Sequence, residues 1–250
     1  MNWSLLVFMT KAQMRARYRR TFAGFVWVIL SPIVLYAAQA LAFKEILRIG
    51  IPNYGLFLLG GLLPWVFVVS SLEMGIAVPV GAREVFLALK VKPYLLVFSS
   101  LLDNAVNFVA AFSIILVPTV LITDVQKTGL WFLPLALLPL LAGTGGLLWF
   151  LSMLNVFYRD VRYVVHFMIG VLFFVTPIFY PKEFVPDQYQ WLIGINPIYV
   201  LIEPVRICIY SFSSEGFIGS LAKATVCAAL FGVAAVTYWK RMKNEFYHQL

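Results

Sequence analysis

The sequence predicts an all-α membrane protein with six transmembrane helices, on the basis of its composition, its apolar stretches and the placement of its basic residues. Hydrophobic residues make up 62% of the 250 residues and charged residues 12%, against about a quarter charged in an ordinary soluble protein. Six apolar stretches approach the roughly 20 residues that a membrane-spanning helix needs. Most of the 19 basic residues precede the first stretch or follow the second, fourth and sixth. Because basic loops stay on the cytoplasmic side, both termini are predicted to be cytoplasmic.

The first element, residues 1–20, is predicted to be an amphipathic helix in the membrane interface. Lys11, Arg15 and Arg19 are spaced by four residues along one side of such a helix. The apolar residues of another side are Trp3, Val7, Met14 and Tyr18. A helix of this kind lies at headgroup level and leads into the first span. The pair Arg19-Arg20 also resembles a twin-arginine signal, but the apolar stretch behind it is long for a signal core and further spans follow.

The spans themselves follow from the apolar stretches, and residues 1–250 are interpreted as a single transmembrane domain. The six predicted spans are residues 21–43, 54–72, 96–122, 130–157, 164–180 and 217–239. The fourth span contains Pro134, Pro139 and the run Gly143-Thr144-Gly145-Gly146. Proline kinks helices and small residues let helices approach closely, so both features are expected in this span.

Residues 181–210, between the fifth and sixth spans, are predicted to form a re-entrant helical segment on the outer side. The segment is apolar and aromatic, but prolines divide it into pieces too short to cross a membrane. Broken backbone at membrane depth must be buried in protein or line a cavity, although a loop resting on the headgroups is the alternative. Within it, Glu203 and Arg206 are spaced so that they can pair on a helix. A structural ion pair and contact with a passing substrate both stay open for these two residues.

One acidic residue, Asp103, lies inside the third apolar stretch, with Asn104 and Asn107 beside it. An intramembrane carboxylate is energetically costly, which makes it a candidate functional group. The alternative is that Asp103 stays at headgroup depth or pairs with a basic neighbour and joins two helices. This alternative is favoured, because no second acid provides a proton relay.

Signals for catalysis or for a bound cofactor are absent from the sequence. There is no Gly-Lys dipeptide and therefore no Walker A loop, and no catalytic triad order or metal-ligand cluster is evident. The cysteines and histidines (Cys208, Cys227, His166 and His248) have no spacing that suggests a disulfide or a metal site. The net charge of +8 lies beside the spans, which favours membrane lipids and an acidic cytoplasmic partner over nucleic acid.

Four motifs carry a family resemblance. They are RYRRTFAGFVW at residues 17–27, followed by Ser31-Pro32; GGLLPW at 60–65; NVFYRDVR at 155–162; and PIFYP at 177–181, followed by Asn196-Pro197 and Glu203-x-x-Arg206. Together the chain resembles the membrane subunits of ABC exporters that move lipid-linked O-antigen, capsule or teichoic-acid polymers. The motifs run in the family's order over nearly the whole chain.

The resemblance implies a homodimer bound to two copies of a separate ATPase subunit, which would hold ATP and magnesium. Residues 83–92 would form the coupling helix that docks on that ATPase, with apolar anchors inside a charged rim. The docking residues would be Arg83, Glu84, Val85, Phe86, Leu87 and Lys90. The chain departs from the family here, because Lys92-Pro93-Tyr94 stands where members often have an aromatic-Pro-Arg-Glu run.

The resemblance also implies roles along the transport path. Arginine suits phosphate oxygens, so the entry site for the phosphates of a lipid-linked substrate would use Arg15, Arg17, Arg19 and Arg20. The candidates for lining the pore or gating its outer end are Trp27, Tyr36, Trp65, Phe179, Tyr180, Glu203 and Arg206.

The function expected from these features is export of a lipid-linked polysaccharide, O-antigen before others, across the bacterial inner membrane in lipopolysaccharide biosynthesis. The chain would be a transport subunit and not an enzyme. A permease for a drug or small lipophile is the alternative within the transport class. Outside that class, a membrane enzyme acting on lipid-linked sugars is disfavoured by the shortage of acid–base residues in any one loop. The third alternative is a non-catalytic scaffold for a biosynthetic complex.

Overall fold

The computed structural model describes residues 3–18, 24–82, 84, 92–123 and 127–249, and these ranges contain helices and no strand. The helices are α1 (Trp3–Tyr18), α2 (Gly24–Ala40), α3 (Tyr54–Gly75), α4 (Val78–Gly81), α5 (Pro93–Ile122), α6 (Leu133–Phe157), α7 (Val161–Val175), α8 (Gln190–Ile195), α9 (Pro197–Ile209) and α10 (Ser214–Gln249). A π-helical turn, Leu41–Ile46, extends α2, and a 3₁₀ turn, Lys127–Phe132, leads into α6. The prediction of an all-helical chain is confirmed.

Prolines mark several helix boundaries. Pro93 and Pro197 stand in the first turns of α5 and α9, where a missing N–H costs nothing and a fixed φ favours the helix. At the other end of α7, Thr176 precedes Pro177 and is extended, with ψ of 125°. A residue before proline is restricted to extended backbone, which explains why α7 ends there.

Helix length distinguishes the candidate membrane spans. Four helical stretches are long and apolar enough to cross a membrane: Tyr54–Gly81, Pro93–Ile122, Lys127–Phe157 and Ser214–Phe246. Within the described ranges, α7 has 15 residues, short of the roughly 20 that a straight crossing needs, and α2 has 17 before the π-helical turn that extends it. The four long stretches agree with four of the six predicted spans, and the six-span topology stays a prediction.

Helix α3 is the centre of the bundle. Most of the residues in its apolar stretch are buried, whereas most of those in α10 are exposed. Leu58, Leu59 and Val68 of α3 are fully enclosed, and α2, α5, α6 and α9 pack around them. Helix α10 packs mainly along α6 and leaves most of its apolar surface on the outside. An apolar outer surface of this kind is suited to lipid rather than to water.

The glycine run of α6 brings three neighbouring helices close, as the sequence predicts. A Cβ added at Gly143 would lie 2.6 Å from Leu201 of α9, and one at Gly145 would lie 2.9 Å from Leu101 of α5. A Cβ at Gly146 would lie 2.8 Å from the backbone nitrogen of Gly232 in α10. A side chain at Gly146 would push α10 away, whereas one at Gly143 or Gly145 would displace a neighbouring leucine side chain.

Helix α1 packs on the start of α5 through Leu6 and Met9. Leu6 and Met9 are buried against Leu95 at the start of α5, whereas Trp3 is 61% exposed and Val7 is 37% exposed. Because α1 packs on α5, the residues of α1 that are buried are those that face α5. The helix itself is present, whereas its place in the membrane interface, with Trp3 and Val7 towards lipid, stays a prediction.

The segment after α7 bends sharply at one asparagine. The helical stretches Asp187–Ile195 and Pro197–Ile209 meet at 93°. Between them, the Asn196 side-chain oxygen accepts hydrogen bonds from the N–H groups of Ile198 (3.1 Å) and Tyr199 (3.3 Å). Its amide nitrogen donates to the Thr176 hydroxyl at 2.6 Å. Asn196 therefore caps α9 and fastens it to the end of α7.

Candidate functional site

The most unusual side chain of residues 181–210 is Arg206, a cation on α9 that is only 7% exposed. Its Nη1 donates a hydrogen bond of 2.7 Å to the carbonyl of Pro177. The guanidinium also lies over the ring of Phe57 in α3, 4.7 Å from the ring centre. A buried charge is costly unless it is hydrogen-bonded, and the aromatic face offsets part of that cost. Arg206 thus ties α9 to α3 and to the backbone beyond α7.

Two glycines of α3 make the space that Arg206 occupies. A Cβ at Gly60 would lie 2.9 Å from the Cα of Arg206, and one at Gly61 would lie 2.5 Å from its Nη2. Real Cβ contacts are longer than either distance, so a larger residue would separate α3 from α9. The first two residues of the GGLLPW motif therefore let α9, with its buried arginine, approach α3 closely.

Glu203 is directed away from Arg206. It accepts a hydrogen bond from the Tyr199 hydroxyl at 3.0 Å and lies 3.7 Å from the Lys182 amine. The possible pairing of Glu203 with Arg206 is therefore not realised, because Arg206 is directed towards Gly61 and Pro177. A cavity of about 410 Å³ lies against both residues. Its wall combines aromatic, cationic and anionic groups.

Of the aromatic gate candidates that follow α7, Phe179 is buried and Tyr180 is half-buried. Phe179 stacks on Phe43 with ring centres 4.6 Å apart, and its carbonyl accepts a hydrogen bond of 3.1 Å from the Tyr54 hydroxyl. The Tyr180 hydroxyl donates to the carbonyl of Phe174 at 3.1 Å. These contacts hold the PIFYP motif against α3 and the end of α2.

The remaining pore candidates lie at different depths. Trp65 is buried in α3 and its ring lies 5.9 Å from that of Phe173. The Tyr36 hydroxyl of α2 donates to the Gly55 carbonyl at 3.0 Å. Trp27, also on α2, is 60% exposed and can meet lipid or another chain.

A second polar cluster joins α1 to α5. Arg17 pairs with Asp103 at 2.8 Å, and the Asp103 carboxylate is almost fully buried. The Arg17 guanidinium also donates to the Asn104 side-chain oxygen at 3.2 Å, and the Asn107 amide donates to Asp103 at 3.4 Å. Pairing of Asp103 with a basic neighbour, the favoured interpretation, is confirmed. A cavity of about 120 Å³ lies between this cluster and apolar residues of α2 and α3.

The other predicted phosphate-binding and docking residues are largely beyond what the structure describes. Arg15 is exposed on α1 and Glu84 is exposed after α4. The predicted site residues that lie outside the described ranges are Arg19, Arg20, Arg83, Val85, Phe86, Leu87 and Lys90.

The contacts of three residues named above, Asn155, His166 and Asn196, were not predicted from the sequence. The cap formed by Asn196 could have been found, because Asn before Pro at the start of a helix is a capping pattern. Asn155 of α6 donates to the carbonyl of Ile76 at 3.4 Å and so fixes the break between α3 and α4. His166 pairs with Glu73 at 2.8 Å across α7 and α3. Neither of these last contacts has a local sequence signal, since the partners are far apart in the chain.

The chain is similar to known proteins over most of the helices described above. A family model for the ABC-2 type transporter matches residues 4–210. The O-antigen export system permease protein RfbA of Myxococcus xanthus is 27% identical over 244 residues, which cover 97% of this chain and 94% of that protein. A protein of the same name from Klebsiella pneumoniae is 26% identical over 202 residues, covering 80% of this chain and 78% of the relative. A further Klebsiella pneumoniae protein of that name is 26% identical over 201 residues, with the same coverage.

Proposed function

This chain belongs to the ABC-2 type transporter family, and we propose that it is the membrane permease of an exporter for a lipid-linked polysaccharide, O-antigen in the first place. The observation that carries the proposal is the similarity to O-antigen export permeases over 97% of this chain. The four long apolar helical stretches support a multi-pass protein of the bacterial inner membrane. The basic residues favour cytoplasmic termini.

The energy for export comes, in this proposal, from a separate ATPase subunit that binds ATP and magnesium. The chain itself has no Gly-Lys dipeptide and therefore no Walker A loop. Two permease copies and two ATPase copies would form the working complex. Residues 83–92, rich in bases and apolar anchors, would dock on the ATPase.

Helix α3 is suited to transmit movement from that docking segment to the outer side. The segment follows directly after α3 and α4, and the other half of α3 contacts Arg206 of α9 through Gly60 and Gly61. Because α3 is buried and closely packed, it would move as a rigid rod. A pull at its cytoplasmic end would therefore reposition α9 and the bend at Asn196, the proposed outer gate.

The substrate's phosphates would enter near the end of α1, where Arg15, Arg19 and Arg20 supply positive charge. Arg17 is a weaker candidate for this role, because Asp103 and Asn104 already bind its guanidinium. Arg19 and Arg20 are therefore the residues to replace in a test of substrate entry. Loss of export with normal assembly would support that role, and unchanged export would exclude it.

The proposed function is tested by deleting the gene and following the polymer. We expect the lipid-linked polysaccharide to be made in normal amounts and to accumulate on the cytoplasmic leaflet. Complementation with this chain should restore export only where the partner ATPase can hydrolyse ATP. Loss of polymer synthesis would instead indicate an enzyme, and normal surface polymer would indicate a scaffold or a permease for another substrate.

A further inference from the structure

A cavity of about 440 Å³ lies where the break between α3 and α4 faces the end of α6 and the start of α7. The α3–α4 side contributes Ala77, Val80 and Gly81, and the opposite side contributes Asn155, Arg159, Arg162 and Tyr163. This cavity is separate from the Arg17 cluster and from the outer cavity beside Arg206. None of the transport roles proposed above uses it.

Two arginines and the N-terminus of α7 make the cavity positively charged. Arg159 and Arg162 both line the cavity, and Arg162 stacks on the ring of Tyr163 with its guanidinium carbon 4.5 Å from the ring centre. Arg162 also donates a hydrogen bond to the Tyr163 hydroxyl. The first turn of α7, a helix of 15 residues, adds the positive end of its dipole at the same place. The arrangement favours an anion.

Asn155, which lines the cavity, has a buried side-chain oxygen that can accept a further hydrogen bond. Asn155 is only 2% exposed, and its amide nitrogen donates to the carbonyl of Ile76. Its side-chain oxygen has no partner among the described residues. Buried acceptors are nearly always satisfied, so a donor from outside the chain fits this position. A hydroxyl or ammonium group next to a phosphate provides one.

An apolar stripe next to the cavity favours a lipid over a free phosphate. Along α7, one turn apart, Val164 is 58% exposed, Phe167 is 69% exposed, Val171 is 42% exposed and Phe174 is 79% exposed. These side chains continue from the cavity mouth towards the other end of α7. An acyl chain can lie on them while its headgroup occupies the cavity.

We propose that this cavity binds the phosphate headgroup of a membrane lipid, with Arg159 and Arg162 on the phosphate and Asn155 on a neighbouring donor. In the proposed topology the cavity faces the cytoplasmic leaflet, and Gly81 of its lining comes shortly before residues 83–92 in the sequence. A lipid held there would brace the α3–α4 break against α7. The binding itself depends neither on the polysaccharide nor on the ATPase.

The test is lipid titration of the purified full-length chain in detergent, followed by native mass spectrometry. Phosphatidylglycerol has both a phosphate and hydroxyl donors, phosphatidylcholine has a phosphate without a donor, and diacylglycerol has no phosphate. We expect binding to weaken in that order. Equal binding of phosphatidylglycerol and diacylglycerol would overturn the proposal, and displacement of the lipid by equimolar inorganic phosphate would assign the site to free phosphate.

A matched pair of variants locates the site. Arg159→Gln with Arg162→Gln should weaken phosphatidylglycerol binding about tenfold or more, since both charge-assisted contacts with the phosphate are lost. Lys240→Gln with Arg241→Gln removes two exposed cations from the end of α10 and should leave binding unchanged. Equal losses in the two variants would show nonspecific charge attraction and would contradict the proposal.

The lipid-binding result can be interpreted independently of folding and of transport. Arg159 and Arg162 are exposed, so the Gln variant should melt at the wild-type temperature, and the lipid series on the unchanged chain tests the headgroup chemistry without any variant. No ATP or polymer is present in the titration. A negative titration would leave the export proposal standing, and a failed export assay would leave a positive titration standing.

Discussion

At the scale of single residues, the chain stabilises two buried charges in different ways. Arg206 has a carbonyl and an aromatic face but no carboxylate within ion-pair distance among the described residues, whereas Asp103 has the guanidinium of Arg17. The Arg17–Asp103 pair could be anticipated, because a single intramembrane acid needs a cation. The environment of Arg206 could not, since it depends on α3 and α9 meeting at Gly60 and Gly61.

Replacing Arg206 with Met should destabilise the chain. The change leaves the buried Pro177 carbonyl without its donor, which costs about 1–3 kcal/mol for a buried acceptor. Thermal unfolding of the purified protein in detergent measures the effect. Lys182→Met is the control, because the Lys182 side chain is 56% exposed and its pair with Glu203 contributes at most about 1 kcal/mol. Equal losses for the two variants would show that the Arg206 contacts do not stabilise the fold.

Arg17→Gln should cost more stability than Arg15→Gln. Loss of Arg17 leaves the buried Asp103 carboxylate unpaired, at a cost of about 2 kcal/mol for a charged hydrogen bond, while Arg15 is exposed. Adding Asp103→Leu to the Arg17 variant should recover part of the loss, since the unpaired charge is then gone. Denaturation midpoints of the three variants measure this, and no recovery in the double variant would contradict the pairing.

At the scale of helices, the close packing of α9 on α3 and the cap at Asn196 determine the position of residues 181–210. The prolines predict where its pieces end, and the Asn-Pro sequence marks the start of α9. The 93° bend and the contact of α9 with α3 are tertiary results and have no local signal in the sequence. The same reasoning explains α1, where helical spacing predicts the helix but packing on α5 selects its buried side.

Gly60→Ala should separate α3 from α9. The added methyl would lie 2.9 Å from the Arg206 backbone, which cannot move as a side chain can. Overpacking of this kind costs about 1–3 kcal/mol. Gly170→Ala in α7 is the control, because no atom lies within 4 Å of its added methyl and alanine favours a helix. Melting temperatures compare the two, and a neutral Gly60→Ala would contradict the close packing.

Asn196→Ala should loosen the bend between α8 and α9. The variant loses a helix cap, which is typically about 1 kcal/mol, together with the hydrogen bond to Thr176. Asn196→Ser keeps a capping oxygen and should fall between alanine and wild type. Hydrogen exchange of the α9 amides measures the local opening. Unchanged exchange in the alanine variant would show that the cap does not hold the bend.

At the scale of the whole molecule, the sequence determines the class more firmly than the number of crossings. Long apolar stretches predict the four longest helical spans, whereas α7 is short and α2 approaches the length of a crossing only together with its π-helical turn. Likewise, the motifs predict the family. The contacts of residues 83–92 with a partner cannot be derived from this sequence alone, because they depend on the partner's surface.

The topology can be tested with single cysteines and a membrane-impermeant thiol reagent. Gln188 is exposed between α7 and α8, and Lys243 is exposed near the end of α10. In a background with Cys208 and Cys227 replaced, Gln188→Cys should react in intact cells after outer-membrane permeabilisation. Lys243→Cys should react only in inside-out vesicles. Reaction of both from the same side would contradict the predicted orientation.

The measurement that decides the proposed function most directly is polymer transport in proteoliposomes containing this chain and its partner ATPase. We expect lipid-linked polysaccharide to cross the bilayer only when both proteins and ATP are present, and a hydrolysis-deficient partner to abolish the movement. Transport by this chain alone without ATP, or a complex whose ATP hydrolysis responds to small lipophiles and not to polysaccharide lipids, would contradict it.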